Sequence, residues 1–329
     1  MKTALFALCV LAASPAIAVA QPARRAVLVQ GASGEPQFAR QHRGWLDQLA
    51  ATFRDKFKMG PTQLTILAEQ AGDGELRATA ENVRTTFADL AKALQPADVL
   101  FVMLIGHGTA DATGAKFNLV GPDLTVADWK ALLTPIKSRV VFVNSSSASF
   151  PFAAGLTGDK RIIITSTSII SQKYATIFAD AFIQALNADA ADLDKNSRTS
   201  MWEAFFYASR VVKQYFEQKG QLATERPLIE DNGDGVGREA MSPTGEDGTL
   251  STMTYLDAVV EAKPADPAVQ MLFQKQELLT IQIDELKRKK ASMPAAEYDA
   301  AWEKLMIELA TVGAQIRAKG GKDHWPLVH

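Results

Sequence analysis

The 329-residue chain has a single cysteine, Cys9, and it lies in the apolar run that opens the sequence. That run, MKTALFALCVLAASPAIAVAQ, has one lysine, an apolar stretch, a proline and then Ala18-Val19-Ala20. This is the layout of a secretory signal peptide over residues 1–20, with cleavage expected before Gln21. A lipoprotein cysteine follows a small residue, whereas Leu8 precedes Cys9, so lipid attachment is not expected. The stretch is also short for a membrane span. Without it the chain has no thiol, which excludes disulfides, thiolate metal ligands and a cysteine nucleophile. The expected location is periplasmic or secreted, with no stable membrane insertion once the leader is gone. An excess of charge of either sign is lacking too: 35 basic and 37 acidic residues leave a formal net charge of −2. Nothing in that balance draws the chain to nucleic acid or an anionic surface. GASGEP, after the first apolar run, has neither a GxGxxG nor a P-loop spacing and no following lysine, so a nucleotide-binding reading is weak. There is no internal repeat of the globular part.

What is present is enough apolar residue, 47%, for a real core. Residues 26–33, 62–68, 98–108, 116–120, 139–144 and 161–167 read as strands. DVLFVMLIGHG (98–108) and RVVFVN (139–144) are nearly continuous apolar runs, which implies burial on both faces. Between the strands, 36–58, 80–94, 124–136, 174–186 and 199–220 carry apolar positions at helical spacing, with Thr125 placed to cap its helix. Alternating strands and helices predict a mostly parallel α/β sheet flanked by helices over residues 21–245. Chemistry in such sheets sits at the carboxyl ends of the strands.

The composition changes after about residue 245. A linker is expected over 246–266, then helices at 267–288 and 295–318, joined by KKASMP (289–294), and a flexible tail at 319–329. Tyr298, Trp302, Leu305, Leu309, Val312 and Ile316 form a heptad seam, and Leu272, Leu279 and Leu286 recur every seven residues with Ile283 between them. This predicts an antiparallel hairpin over 267–318 that packs on itself, on the main domain or on a second chain, the last giving a route to oligomers.

Two strand ends stand out. LIGHG (104–108) places His107 between glycines, as a general base or acid or as an ordinary loop histidine. VVFVNSSSASFPF (140–152) ends a buried strand in serines, which either cap a short helix or include a nucleophile. Together the two ends resemble the caspase-like clan of cysteine peptidases, of the legumain type, in which a strand ending in His-Gly is followed about forty residues later by a strand ending in the nucleophilic cysteine. On that resemblance His107 matches the family histidine, and Ser146 stands where the family has cysteine. RIIITSTSIISQKYATIFADAFIQAL (161–186) and ERPLIEDNGDGVG (225–237) are similar to later segments of bacterial members, so the likeness spans about residues 25–240. It implies catalytic positions at His107 and Ser146, and oxyanion or substrate-binding positions at Gly108, Asn144, Arg40 and Ser166, with His42 beside Arg40. The family's backbone-amide oxyanion site would fall on Gly108 and Ser146.

A serine hydroxyl is far less acidic than a thiol and needs a base oriented by a third group. No acid adjoins His107 in sequence, although Asp111 is near. A weakened or inactive peptidase homologue that binds peptides or proteins is therefore expected, with a working Ser146/His107 hydrolase as the alternative. No cofactor is expected except calcium, for which Glu230, Asn232 and Asp234 stand at positions 1, 3 and 5 of an EF-type loop with Gly235 at the turn. Its twelfth position is Met241, so an Asn-Gly/Asp-Gly turn competes with that reading.

Overall fold

The computed structural model describes residues 22–111, 114–240, 247–257, 267–290 and 293–319. The expected leader, part of the expected linker, Met241 and nearly all of the tail lie outside the described residues. The chain divides into two compact units, Met1–Asp257 and Ala258–His329.

The strands of the first unit are β1 (Arg24–Gln30), β2 (Leu64–Ala68), β3 (Leu76–Arg77), β4 (Val99–Ile105), β5 (Gly108–Asp111), β6 (Gly114–Phe117), β7 (Leu124–Thr125), β8 (Arg139–Asn144), β9 (Arg161–Thr165) and β10 (Leu228–Glu230). The helices are α1 (Pro36–Ala51), which continues through a π turn at Thr52–Lys56, then α2 (Ala80–Ala93), α3 (Val126–Leu133), α4 (Pro151–Leu156), α5 (Phe178–Asn187), α6 (Met201–Gln218) and α7 (Thr249–Thr252). Seven strands form one sheet in the order β10-β9-β8-β4-β1-β2-β3. All neighbours in it are parallel except β10, which runs antiparallel to β9. The expected mostly parallel sheet flanked by helices is what the chain forms.

The continuous apolar runs are explained by the two faces. Phe101, Met103 and Ile105 of β4 and Val141 and Val143 of β8 face one core, shared with α1, α5 and α6. Leu100, Val102, Leu104, Val140 and Phe142 face the other, against α2, α3 and α4. Each fully buried Val, Leu or Phe of this kind contributes about 1.5–3 kcal/mol, so the central strands are the best-anchored part of the unit. Thr125 caps α3 in a reciprocal box with Asp128, as expected, and Ser200 does the same for α6 with Glu203.

The differences lie at the edges. The run read as one strand over 98–108 breaks after Ile105. Gly106, at φ +150°, turns the chain, and Gly108–Asp111 begins a separate antiparallel sheet, β5-β6-β7. Residues 247–257, read from the sequence as linker, belong to the first unit: Arg24 donates to the Leu256 carbonyl and Arg198 pairs with Asp257.

The second unit is a helical pair, α8 (Pro267–Lys289) and α9 (Ala295–Ala318). Leu279, Ile283, Leu309, Val312 and Ile316 form its core, flanked by Leu272, Trp302 and Leu305, so the heptad positions pack the two helices on each other. No helix among the described residues is long and apolar enough to cross a membrane.

Candidate functional site

His107 and Ser146 follow neighbouring parallel strands, β4 and β8, paired up to Leu104 and Asn144. The sheet therefore brings the two segments to one edge. At that edge the imidazole and the hydroxyl have different partners. The His107 ring meets Phe38 edge-on at 4.8 Å and His42 at 5.0 Å, both on α1. Burial pushes its pKa down, while a hydrogen bond with the Ser33 backbone and the carboxylates Glu35 and Glu69 push the other way. His42 is buried, with Nδ1 3.0 Å from the Ser33 hydroxyl. Desolvation, with a smaller contribution from His107, lowers its pKa to about 4, so the ring is neutral at physiological pH.

Ser146 is fully buried. Its hydroxyl donates to Asn144 Oδ1 at 2.6 Å, with a longer contact to the Ser147 carbonyl at 3.2 Å. Asn144 Oδ1 also accepts the Ser146 amide at 3.0 Å. An amide oxygen cannot take up the serine proton, so this partner holds the hydroxyl without activating it. The second candidate oxyanion amide is also engaged: Gly108 N donates to Ser147 Oγ at 3.3 Å, and Ser147 Oγ donates to the Gly108 carbonyl at 3.0 Å. The two segments meet so closely that a Cβ on Gly108 would lie 2.2 Å from the Ser147 carbonyl oxygen and 2.7 Å from Ser146 Oγ.

The other serines extend this network. Ser145 Oγ donates to the Leu104 carbonyl at 2.6 Å, and Ser166 Oγ donates to the Ser146 carbonyl at 2.6 Å. Ser149 Oγ lies 3.1 Å from both Ser166 Oγ and Thr167 Oγ1. The chain reverses at Ala148, which sits at φ +52°, and the Ala148 amide donates to the Gln172 carbonyl at 3.0 Å. Hydroxyls suit this place because each supplies one donor and accepts in return, which pairs every serine of the turn, while Asn144 Nδ2 and the Gln172 side-chain amide are buried without a partner.

Of the sequence candidates, Gly108, Asn144, Ser146 and Ser166 come together in one buried hydrogen-bonded cluster. His107 adjoins it with its ring against α1. Arg40 is exposed on α1. Ser33, Phe38 and Ser147 complete the surroundings. Ser147 lies in the serine run and Phe38 in the helical pattern of 36–58, but nothing in the sequence marked Ser33 or assigned any of the three to this site, because their roles arise from the pairing of distant segments.

The two acidic loops differ in kind. In the 230–237 loop, Glu230 is buried and accepts amides from Gly233 and Gly235, and Asp234 pairs with Arg238 at 2.7 Å. Arg238 thus supplies the positive charge there. A second loop joins α5 to α6. Asp192, Asp194, Asn196, Ser200 and Glu203 stand at positions 1, 3, 5, 9 and 12 of an EF-type spacing. Ser197, at φ 67°, holds the left-handed turn that glycine usually occupies. Carboxylate oxygens of Asp192, Asp194 and Glu203 lie within 4.8 Å of one another. This all-oxygen donor set fits a hard cation of the calcium type.

No protein-family model and no curated protein matches the chain. Solved structures similar to part of it include a protein from Geobacter sulfurreducens, at 14% identity and a TM-score of 0.43 over 64% of this chain and 93% of that one. Caspase-1 from Spodoptera frugiperda gives 10% identity and a TM-score of 0.43 over 64% and 88%. A secreted C11 cysteine protease from Bacteroides thetaiotaomicron gives 10% and 0.36 over 64% and 67%. At these values the chemistry of the site follows from this chain's own residues.

Proposed function

We propose that this chain is an exported caspase-like, legumain-type peptidase homologue that has lost peptidase activity and serves as a peptide- or protein-binding domain. One observation carries this reading. The hydroxyl in the nucleophile position is buried and bonded to Asn144, and the two amides that would hold an oxyanion are already bonded, to Asn144 and Ser147. A tetrahedral intermediate needs those donors free. The His-Gly and Asn-Ser-Ser strand ends support the family, and their neighbouring positions on β4 and β8 agree with it. The rim of the same edge supports a binding role. Phe150, Ile169, Ile170 and Tyr174 are exposed there, beside the buried serines, and suit an apolar peptide side chain. The hairpin adds a second surface: Met271, Leu278 and Ile307 are exposed on it and would serve association with another chain.

The test is a fluorophosphonate probe on the purified protein. No labelling at Ser146 is expected. Labelling that disappears in His107→Ala would establish the alternative, a working serine hydrolase.

Calcium belongs to this proposal at the 192–203 loop rather than at Glu230, Asn232 and Asp234. The spacing and the convergence of three carboxylates favour the former, and the Arg238 pairing of Asp234 disfavours the latter.

A further inference from the structure

The opposite edge of the sheet holds a cavity of about 420 Å³ at the amino ends of β8 and β9. Lys130, Lys137, Lys160 and Arg161 line it, with Asp159 as the single acid and Leu156 among its apolar walls. Arg161, the first residue of β9, is 9% exposed. One guanidinium nitrogen, Nη2, donates to the Leu133 carbonyl at 2.5 Å and so caps the end of α3. The other, Nη1, is buried without a partner. Two other arginines that begin strands of this sheet are not in this position: Arg139, at the start of the adjacent β8, donates to Thr254 Oγ1 at 3.0 Å, and Arg24, at the start of β1, to the Leu256 carbonyl at 2.6 Å. Burial lowers the Arg161 pKa, and no carboxylate acts against it. A buried guanidinium has a fixed charge and a planar fork of donors, and it is held in place best by an oxyanion.

We propose that this cavity binds a phosphate monoester of a small molecule, the Arg161 side chain shifting to bring Nη1, which is shielded from solvent without a ligand, onto a phosphate oxygen, while Lys130, Lys137 and Lys160 neutralise the remaining charge. The cations outnumber the one carboxylate by four to one. The volume exceeds that of a lone phosphate, since one water-sized share of liquid is about 30 Å³, so room remains for an organic group against Leu156. The Asp159 carboxylate opposes an anion, and the Leu133 carbonyl already takes up Arg161 Nη2.

The probes are inorganic phosphate, sulfate and phenyl phosphate, titrated into the full chain by calorimetry and by phosphorus NMR line broadening. Saturable binding of phenyl phosphate is expected, tighter than inorganic phosphate. Arg161→Met should weaken it about tenfold or more, as expected for loss of one charge-assisted hydrogen bond. Because that variant removes a buried group and its folding is at risk, Lys137→Glu and Lys160→Glu, at more accessible positions, should each weaken binding severalfold. Absence of saturable binding up to about 10 mM, an affinity below about 3 kcal/mol, overturns the proposal. So does equal affinity in Arg161→Met and both lysine variants. Binding of inorganic phosphate and sulfate with equal strength, and of phenyl phosphate no better, overturns the monoester assignment.

Discussion

The two edges of the central sheet make opposite use of polar residues. At the carboxyl edge Asn144, Ser145, Ser146, Ser147, Ser149 and Ser166 are all buried, and every serine hydroxyl among them has a partner within the protein, leaving only neutral amide atoms such as Asn144 Nδ2 unpaired there among the described residues. At the amino edge Arg161 keeps a buried donor without a partner, and the cavity beside it is lined by three lysines. The Asp192–Glu203 loop lies toward that edge too, since Arg198 in it pairs with Asp257 next to the Leu256 that holds Arg24 at the start of β1. The edge where chemistry is expected in a parallel sheet is closed, and the edge usually left to stability holds the unsatisfied charge. Occupancy of strand-end positions by family-like residues is therefore no guide to activity. What decides is whether the polar groups there are free to bind a substrate.

The largest effect that sharpens this contrast comes from glycine substitution at each edge. Gly108→Ala drives a methyl into the Ser147 carbonyl and the Ser146 hydroxyl, and is expected to lower stability by about 3 kcal/mol or more. Gly158→Ala meets only the Arg161 side chain, at 3.4 Å, and should be neutral or stabilising by up to about 1 kcal/mol. Urea unfolding of the two variants measures both. Equal, small effects would mean that the carboxyl edge is not closely packed.

A pH effect of nearly the same size resides beside the closed edge. Glu225 accepts the amides of Ile177 and Phe178 at 2.9 and 2.7 Å, next to Thr176, whose hydroxyl bonds the Ser145 carbonyl. Burial raises its pKa from 4.5 to about 7, against the pull of those two amides. The folded state therefore holds this proton more tightly than the unfolded chain. Its contribution to stability is greatest below about pH 4.5 and is lost as pH rises to about 7. Glu225→Gln should gain on the wild type across that window by up to about 3 kcal/mol, read as a difference between unfolding curves. His42 works in the other sense: its lowered pKa removes stability as pH falls from 6.5 toward about 4. A constant difference between Glu225→Gln and wild type would show that Glu225 is solvated.

The smallest expected effect concerns the loop between α5 and α6. Calcium at about a hundredfold over its dissociation constant should add about 2.7 kcal/mol and raise the melting midpoint by several degrees, reversed by chelator. Asp194→Asn should abolish most of that shift, and Asp234→Asn should leave it intact. The opposite pattern would return the ion to the 230–237 loop.

Much of this architecture is legible in the sequence because the central strands are buried on both faces. The runs at 98–105 and 139–144 are short, rich in β-branched and aromatic residues and followed by glycine or serines, which favours strands over buried helix segments. The edges are less legible. β3 and β10 have only two and three residues, too few for a periodicity, and β5 (GTAD) follows the apolar run of β4 after only Gly106 and His107, with no apolar pattern of its own to mark a new strand. At the candidate site, the neighbouring positions of His107 and Ser146 follow from strand order. The Asn144 bond that closes the site does not, because a serine run reads the same whether its hydroxyls face a substrate or one another. The calcium-type spacing at 192–203 is written in the sequence and is hidden by one residue. Ser197 takes the left-handed turn at the position where a pattern search requires glycine.

The central claim is that position 146 is closed to solvent and to any base. Ser146→Cys, made together with Cys9→Ser, gives a chain with one thiol, at the position where the resembling family has its nucleophile. Its reaction with an aromatic disulfide reagent measures access and thiolate character together. In the folded protein the thiol should react only as fast as the chain opens, and rapidly once urea is added. Rapid reaction without denaturant, slowed by adding His107→Ala, would show an open site with an activating imidazole and contradict the account.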